Sequence, residues 1–183
     1  DLFGFGMGVS LKSTLIYLFE KADNWIVGKN LGPAALGFYE RAYNLMNMPV
    51  RELSARMNSV LFPAFARIHK ERGRLRAAFQ KTLLALSLVS YPVFASLIVL
   101  APEFIRVLFG PQWIPSVVPF QILCVAGVPR VVTQVTSAII NASGTVAPEV
   151  TRRGIVLVLL VAGVLLGSHW GIVGVATAVA IVN

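Results

Sequence analysis

From Thr82 to Leu100 the chain carries no charged residue, and the run is long enough to cross a bilayer. A helix rises about 1.5 Å per residue, so roughly twenty apolar residues match a hydrocarbon core about 30 Å thick. Comparable stretches recur along the chain. Residues 3–27, 36–60, 79–100, 116–142, 154–167 and 172–183 each read as a span. Only 13% of the residues are charged and 56% are hydrophobic. A soluble domain carries about a quarter charged residues, so the expected fold class is an all-α, polytopic membrane helix bundle of about six transmembrane helices.

The net charge of +8 and a pI of 10.3 resemble those of a nucleic-acid binder, but the distribution of charge excludes that class. Six of the sixteen basic residues fall between Arg67 and Lys81, beside an apolar run. This is the signature of a cytoplasmic segment under the positive-inside rule. Residues 62–81 are therefore expected to form a basic amphipathic connector on the cytoplasmic side, opened by Pro63. Residues 141–153 lie on the same side, with Arg152 and Arg153. The segments 28–37, 101–115 and 167–171 are placed outside, with Trp113 at the membrane interface. The chain begins at Asp1 and ends at Asn183 within a hydrophobic segment, so it reads as a piece of a longer protein.

One span is unusual. Wound at about 100° per residue, Leu36–Val60 separates into two arcs. Glu40, Arg41, Asn44, Asn47, Arg51, Glu52, Ser54, Arg56, Asn58 and Ser59 form the polar arc. Tyr39, Ala42, Tyr43, Met46, Pro49, Val50, Leu53, Met57 and Val60 form the apolar one. In a membrane chain such a polar arc faces a water-filled cavity rather than lipid. Pro49 is expected to kink this helix, because proline lacks a backbone donor and crowds the preceding turn. A second span repeats the device: Arg130, Gln134, Ser137 and Asn141 step along one stripe, next to Pro129. Lys12 lies within the first span, where a charge is costly unless it points into a cavity.

The cationic and amide side chains Lys12, Arg41, Asn44, Asn47, Arg51, Arg130, Gln134 and Asn141 are the candidate substrate-binding set. Guanidinium and ammonium groups suit a phosphate or diphosphate, and amides suit sugar hydroxyls. Arg56 is set aside, since Glu52 stands four residues before it and can neutralise it. Asp23, Glu20 and Glu52 are candidates for ion coupling, with end-of-helix salt bridges as the alternative. No phosphate-binding loop, dinucleotide fingerprint, zinc-protease motif or catalytic triad is present, so no catalytic residue, metal ligand or cofactor is assigned. The lone Cys124 lies in an apolar run and reads as a small buried hydrophobe.

The run Asp23–Val50 resembles the polysaccharide transporter family, the Wzx-type flippases of lipid-linked oligosaccharides. The superfamily also contains the multidrug and toxin extruders. The likeness rests on Asp23, Ile26-Val27-Gly28-Lys29, Leu31-Gly32, Leu36-Gly37, Tyr39, Arg41-Ala42-Tyr43, Leu45 and Met48-Pro49. Pro63–Ile68, Ala101–Trp113 and Gln121–Gly144 are also similar to the family. The resemblance implies one lobe of a two-lobe bundle around a central cavity, with an upstream lobe and the C-terminal end outside this chain. It also implies a protein of the bacterial inner membrane that moves undecaprenyl-diphosphate-linked oligosaccharide for O-antigen, capsule or exopolysaccharide. An ion gradient would drive it, beside a polysaccharide polymerase and chain-length machinery. Three other readings remain at this point: a drug or cation extruder, a membrane-embedded glycan enzyme, and a non-transporting scaffold bundle. An extruder would want acids in the cavity, an enzyme a catalytic group in a long outer loop, and a scaffold internal partners for every arginine.

Overall fold

The structure is a computed structural model that describes residues 21–68, 71–143 and 147–182; side chains at 22, 53–64, 66, 72, 134–143 and 147–153 are not described. Every regular element among the described residues is helical. In chain order these are α1 (Ala22–Leu31), α2 (Pro33–Ile68), α3 (Arg72–Val99), α4 (Ala101–Phe109), a 3-10 turn (Pro111–Ser116), α5 (Val117–Ser143), α6 (Ala147–Gly167), a second 3-10 turn (Ser168–Trp170) and α7 (Gly171–Val182).

Gly32 ends α1 with φ of 87°, a left-handed conformation that side chains with a Cβ avoid. Pro33 then opens α2 at the one helical position where its missing N–H costs nothing. α2 runs for 36 residues, about 54 Å at 1.5 Å per residue, well beyond the bilayer core. It passes through Pro49 and Pro63 as one continuous helix, so the expected Pro49 kink does not break it and Pro63 does not open a new segment. A proline removes one hydrogen bond, and the bonds on either side carry the helix across.

The described part of the basic stretch is mostly helical. It is divided between the last turn of α2, with Arg67, and the first turns of α3, with Arg74 and Arg76. The amide of Glu71 closes onto the carbonyl of Ile68 at 2.9 Å, and Arg74 pairs with Glu71 at 3.0 Å. Arg67 complements the C-terminal dipole of α2, whereas the arginines opening α3 oppose theirs. Their placement fits an aqueous or headgroup environment better than helix stability.

Three helical stretches are long and apolar enough to cross a membrane, Gly73–Val99, Pro111–Thr133 and Gly154–Val182. This is fewer than the six expected. α2 drops out because of its own polar arc, and α1 is described only from Lys21 onward. The last stretch is itself a hairpin. Gly171, with φ of 69°, reverses the chain, and α7 packs back along α6. A Cβ at Gly167 would lie 2.4 Å from the carbonyl oxygen of Gly174, and one at Gly163 would meet the Cβ of Ala178 at 3.3 Å. The crossing is antiparallel, with backbone nearly on backbone.

α5 is the hub, packing against α2, α3 and α7. Phe120, Leu123, Cys124, Gly127 and Val131 form its buried face. Gly127 receives the buried ring of Phe94 from α3 so closely that a Cβ there would fall 2.2 Å from the ring. The outer face of α3 is apolar and exposed, with Leu84, Leu88 and Tyr91 at the spacing of one stripe. That is the surface a lipid-facing helix presents.

Three turns meet at one end of the bundle. Asn30 bonds Ser168 at 3.3 Å, and Phe38 meets Trp113 edge-on at 5.7 Å. All three tryptophans of the chain lie toward this end. Trp25 and Trp170 are 76% and 75% exposed. Aromatics gathered at one level, with Arg67, Arg74 and Arg76 at the other end, follow the pattern of a bundle set across a bilayer.

Candidate functional site

α2 turns its buried face, Tyr39, Ala42, Met46 and Val50, toward the core. The opposite side presents Glu40, Asn44, Asn47 and Arg51 at i, i+4, i+7 and i+11, a continuous polar stripe. Asn44, Arg51 and Glu52 are exposed, and Glu40 and Asn47 are half-buried. No described helix covers this stripe at Asn44 and Arg51. Its upper end is tied to α1: Asn24 Nδ2 donates to Glu40 Oε1 at 2.6 Å, and Lys21 Nζ stands 3.6 Å from the same oxygen.

Arg41 leaves this stripe. Its guanidinium carbon lies 4.6 Å from the Phe109 ring centroid and 4.7 Å from that of Trp113. Phe109 and Trp113 themselves meet at 6.3 Å, so α4 and the turn after it form an aromatic seat for one arginine. Arg41 thus fastens the short helix to α2, and a cation held between ring faces remains partly desolvated.

Arg130 sits on the other flank of α2, roughly 160° round the helix from Arg41 at about 100° per residue. Its Nη2 donates to the Tyr43 hydroxyl at 2.8 Å. The guanidinium also lies over the Tyr43 ring, 5.1 Å from its centroid, so the tyrosine holds it through both the hydroxyl and the ring. Its Nη1 is buried and meets no hydrogen-bond partner among the described residues. One turn along α2, Tyr39 donates to the buried carboxylate of Asp23 at 2.8 Å, and the rings of Tyr39 and Tyr43 are 5.9 Å apart. An acid of α1 and a cation of α5 are therefore joined through two tyrosines of α2. A buried charge requires such partners.

Of the sequence-derived set, Asn44, Asn47 and Arg51 fall together, with Arg130 beside them across Tyr43 and Arg41 apart. Lys12 and Glu20 lie outside the described residues, as do the side chains of Gln134 and Asn141 on α5. Among the ion-coupling candidates, Asp23 is buried between α1 and α2, and Glu52 is exposed next to Arg51. The tyrosines were not singled out by the sequence, since their bulk placed them on the apolar arc and only the tertiary fold shows where their hydroxyls end. Lys21 and Asn24 were also missed; the signal available was their i, i+3 spacing, which puts them on one side of the chain.

A family described as "Polysaccharide biosynthesis protein" matches residues 1–118 of the chain. The chain is 28% identical over 173 residues to an "Uncharacterized membrane protein in cps region" of Klebsiella pneumoniae, covering 94% of this chain and 36% of the relative. It is 30% identical to the "Lipopolysaccharide biosynthesis protein WzxC" of Escherichia coli K12, covering 78% of this chain and 29% of the relative. It is 31% identical to the "Teichuronic acid biosynthesis protein TuaB" of Bacillus subtilis 168, covering 79% and 30%. The chain thus spans between 29% and 40% of the length of the curated relatives it matches. No solved structure matches it.

Proposed function

The chain belongs to the polysaccharide transporter family, and from that premise we propose that it forms one lobe of a flippase for polyprenyl-diphosphate-linked oligosaccharide. It is a multi-pass protein of the bacterial inner membrane, built from apolar helices and one helix that carries a polar stripe. The observation that carries the reading is the polar stripe of Asn44, Asn47 and Arg51 on α2, exposed at Asn44 and Arg51 and flanked by two arginines held by aromatic residues. In a bilayer this stripe is too polar to face lipid, so it turns toward a cavity completed by the rest of the protein. Arg51 supplies the paired donors that a diphosphate takes, and the asparagines supply both donors and acceptors for sugar hydroxyls.

The protein acts as a carrier and not as an enzyme in this reading. The headgroup crosses along the polar stripe while the polyprenyl chain stays in lipid. Asp23 beside Tyr39 is the acid whose charge state would be linked to the position of α1 against α2. The relatives' names place them in lipopolysaccharide and teichuronic acid biosynthesis, where such a carrier has a role.

The test is transport by the full-length protein in vesicles. Arg51→Ala is expected to lower glycolipid flipping at least about tenfold, the size of one charge-assisted contact, at unchanged abundance. Flipping at the wild-type rate, or export of organic cations instead, would overturn the reading.

A further inference from the structure

The groove between α1 and α2 opens near the tryptophan-rich end into a cleft of about 510 Å³. Asn24, Trp25 and Lys29 line it from α1, Lys21 from the residue just before α1 and Glu40 from α2, while Gly28 adds no side chain to fill it. The volume lies within the roughly 300–1,000 Å³ of small-ligand sites. Glu40 accepts from Asn24 at 2.6 Å, which fixes that wall. Its approach to Lys21, at 3.6 Å, is longer than a hydrogen bond, so the ammonium keeps donors for another acceptor. Lys29 forms no ion pair among the described residues. The lining therefore carries one carboxylate, two lysines and an exposed indole.

We infer that this cleft binds a sugar bearing a carboxylate, a uronic acid unit of a glycan. The indole receives the apolar C–H face of the sugar ring. Asn24 and Glu40 take hydroxyls, and Lys29 with Lys21 takes the carboxylate. A bare anionic headgroup fits less well, because it brings no ring hydroxyls for Asn24 and Glu40 to bond. The cleft meets the α2 stripe at Glu40, so the inference rests on the carrier reading and assigns the class of glycan carried.

The experiment is calorimetric binding to the full-length protein in zwitterionic nanodiscs. The probes are a glucuronate-terminated oligosaccharide, its glucose-terminated counterpart, and phosphatidylglycerol added to the disc. The acidic probe is expected to bind about tenfold tighter than the neutral one. Lys29→Gln should remove that preference while neutral binding persists, and Trp25→Ala should weaken both. Equal affinities, a preference unchanged in Lys29→Gln, or displacement of the acidic probe by phosphatidylglycerol would overturn the inference. Equal affinities in the unmutated protein, with Arg51-dependent flipping intact, sink this inference alone. A Lys29-dependent preference with Arg51-independent flipping sinks the carrier reading alone.

Discussion

The α6–α7 hairpin and the α1–α2–α5 cluster are held by opposite means. In the hairpin, Gly163, Gly167, Gly174 and Ala178 let two backbones touch, and few polar side chains take part. In the cluster, Asp23, Tyr39, Tyr43 and Arg130 tie helices that stand apart by the width of a tyrosine. Lipid gives helices no hydrophobic reason to associate, so close packing and interhelical hydrogen bonds are the two available devices. The hairpin uses the first and forms a static wall. The cluster uses the second, and its bonds can be exchanged for bonds to a ligand, which suits the side where a substrate passes.

This contrast can be broken at four points. The largest effect is expected from Gly174→Val, whose Cβ would meet the Gly167 carbonyl oxygen, a backbone atom that cannot rotate away. Its cost should reach or exceed the upper end of the about 1–3 kcal/mol of overpacking, and membrane abundance should collapse on immunoblots. Gly127→Val comes next. It should destabilise by a similar mechanism against Phe94, but Phe94→Ala in the same protein should restore part of the melting temperature, because a side chain is the obstacle.

Tyr43→Phe removes the acceptor of Arg130 and should cost about 1.5–3 kcal/mol, as for hydrogen bonds to charged groups. A double-mutant cycle with Arg130→Met checks it, since the two changes should be less than additive. The smallest effect is expected at Arg41→Gln. Loss of the cation held by Phe109 and Trp113 should lower stability by about 0.5–2 kcal/mol, with α4 the first helix to gain hydrogen exchange.

Up to Glu52, where its side chains are described, the division of α2 into polar and apolar arcs was legible from periodicity alone, and so were most of the apolar runs. What periodicity could not separate was Arg41 from Asn44. Both lie on the polar arc, but the rings that hold Arg41 come from Phe109 and Trp113, far along the chain. The same limit hid Tyr39 and Tyr43, whose rings are apolar and whose hydroxyls are not. Asp23 was visible as an acid near a helix end. Its burial against Tyr39 required the reversal at Gly32, which brings residues sixteen apart together. The basic stretch between Arg67 and Lys81 did not show where its helices end, for a physical reason: charge density reports where water or headgroups are, not backbone conformation. Gly127 looked like any glycine in a span, because its role depends wholly on the Phe94 ring.

The central claim is that the α2 stripe faces water while the outer face of α3 faces lipid. Substituted-cysteine labelling with a membrane-impermeant maleimide tests it directly in native membranes, since Cys124 is buried and gives little background. Asn44→Cys and Arg51→Cys are predicted to label, and Leu88→Cys to remain unlabelled. Asn44→Cys and Arg51→Cys resisting the reagent as fully as Leu88→Cys would place the stripe against lipid or protein and contradict the account.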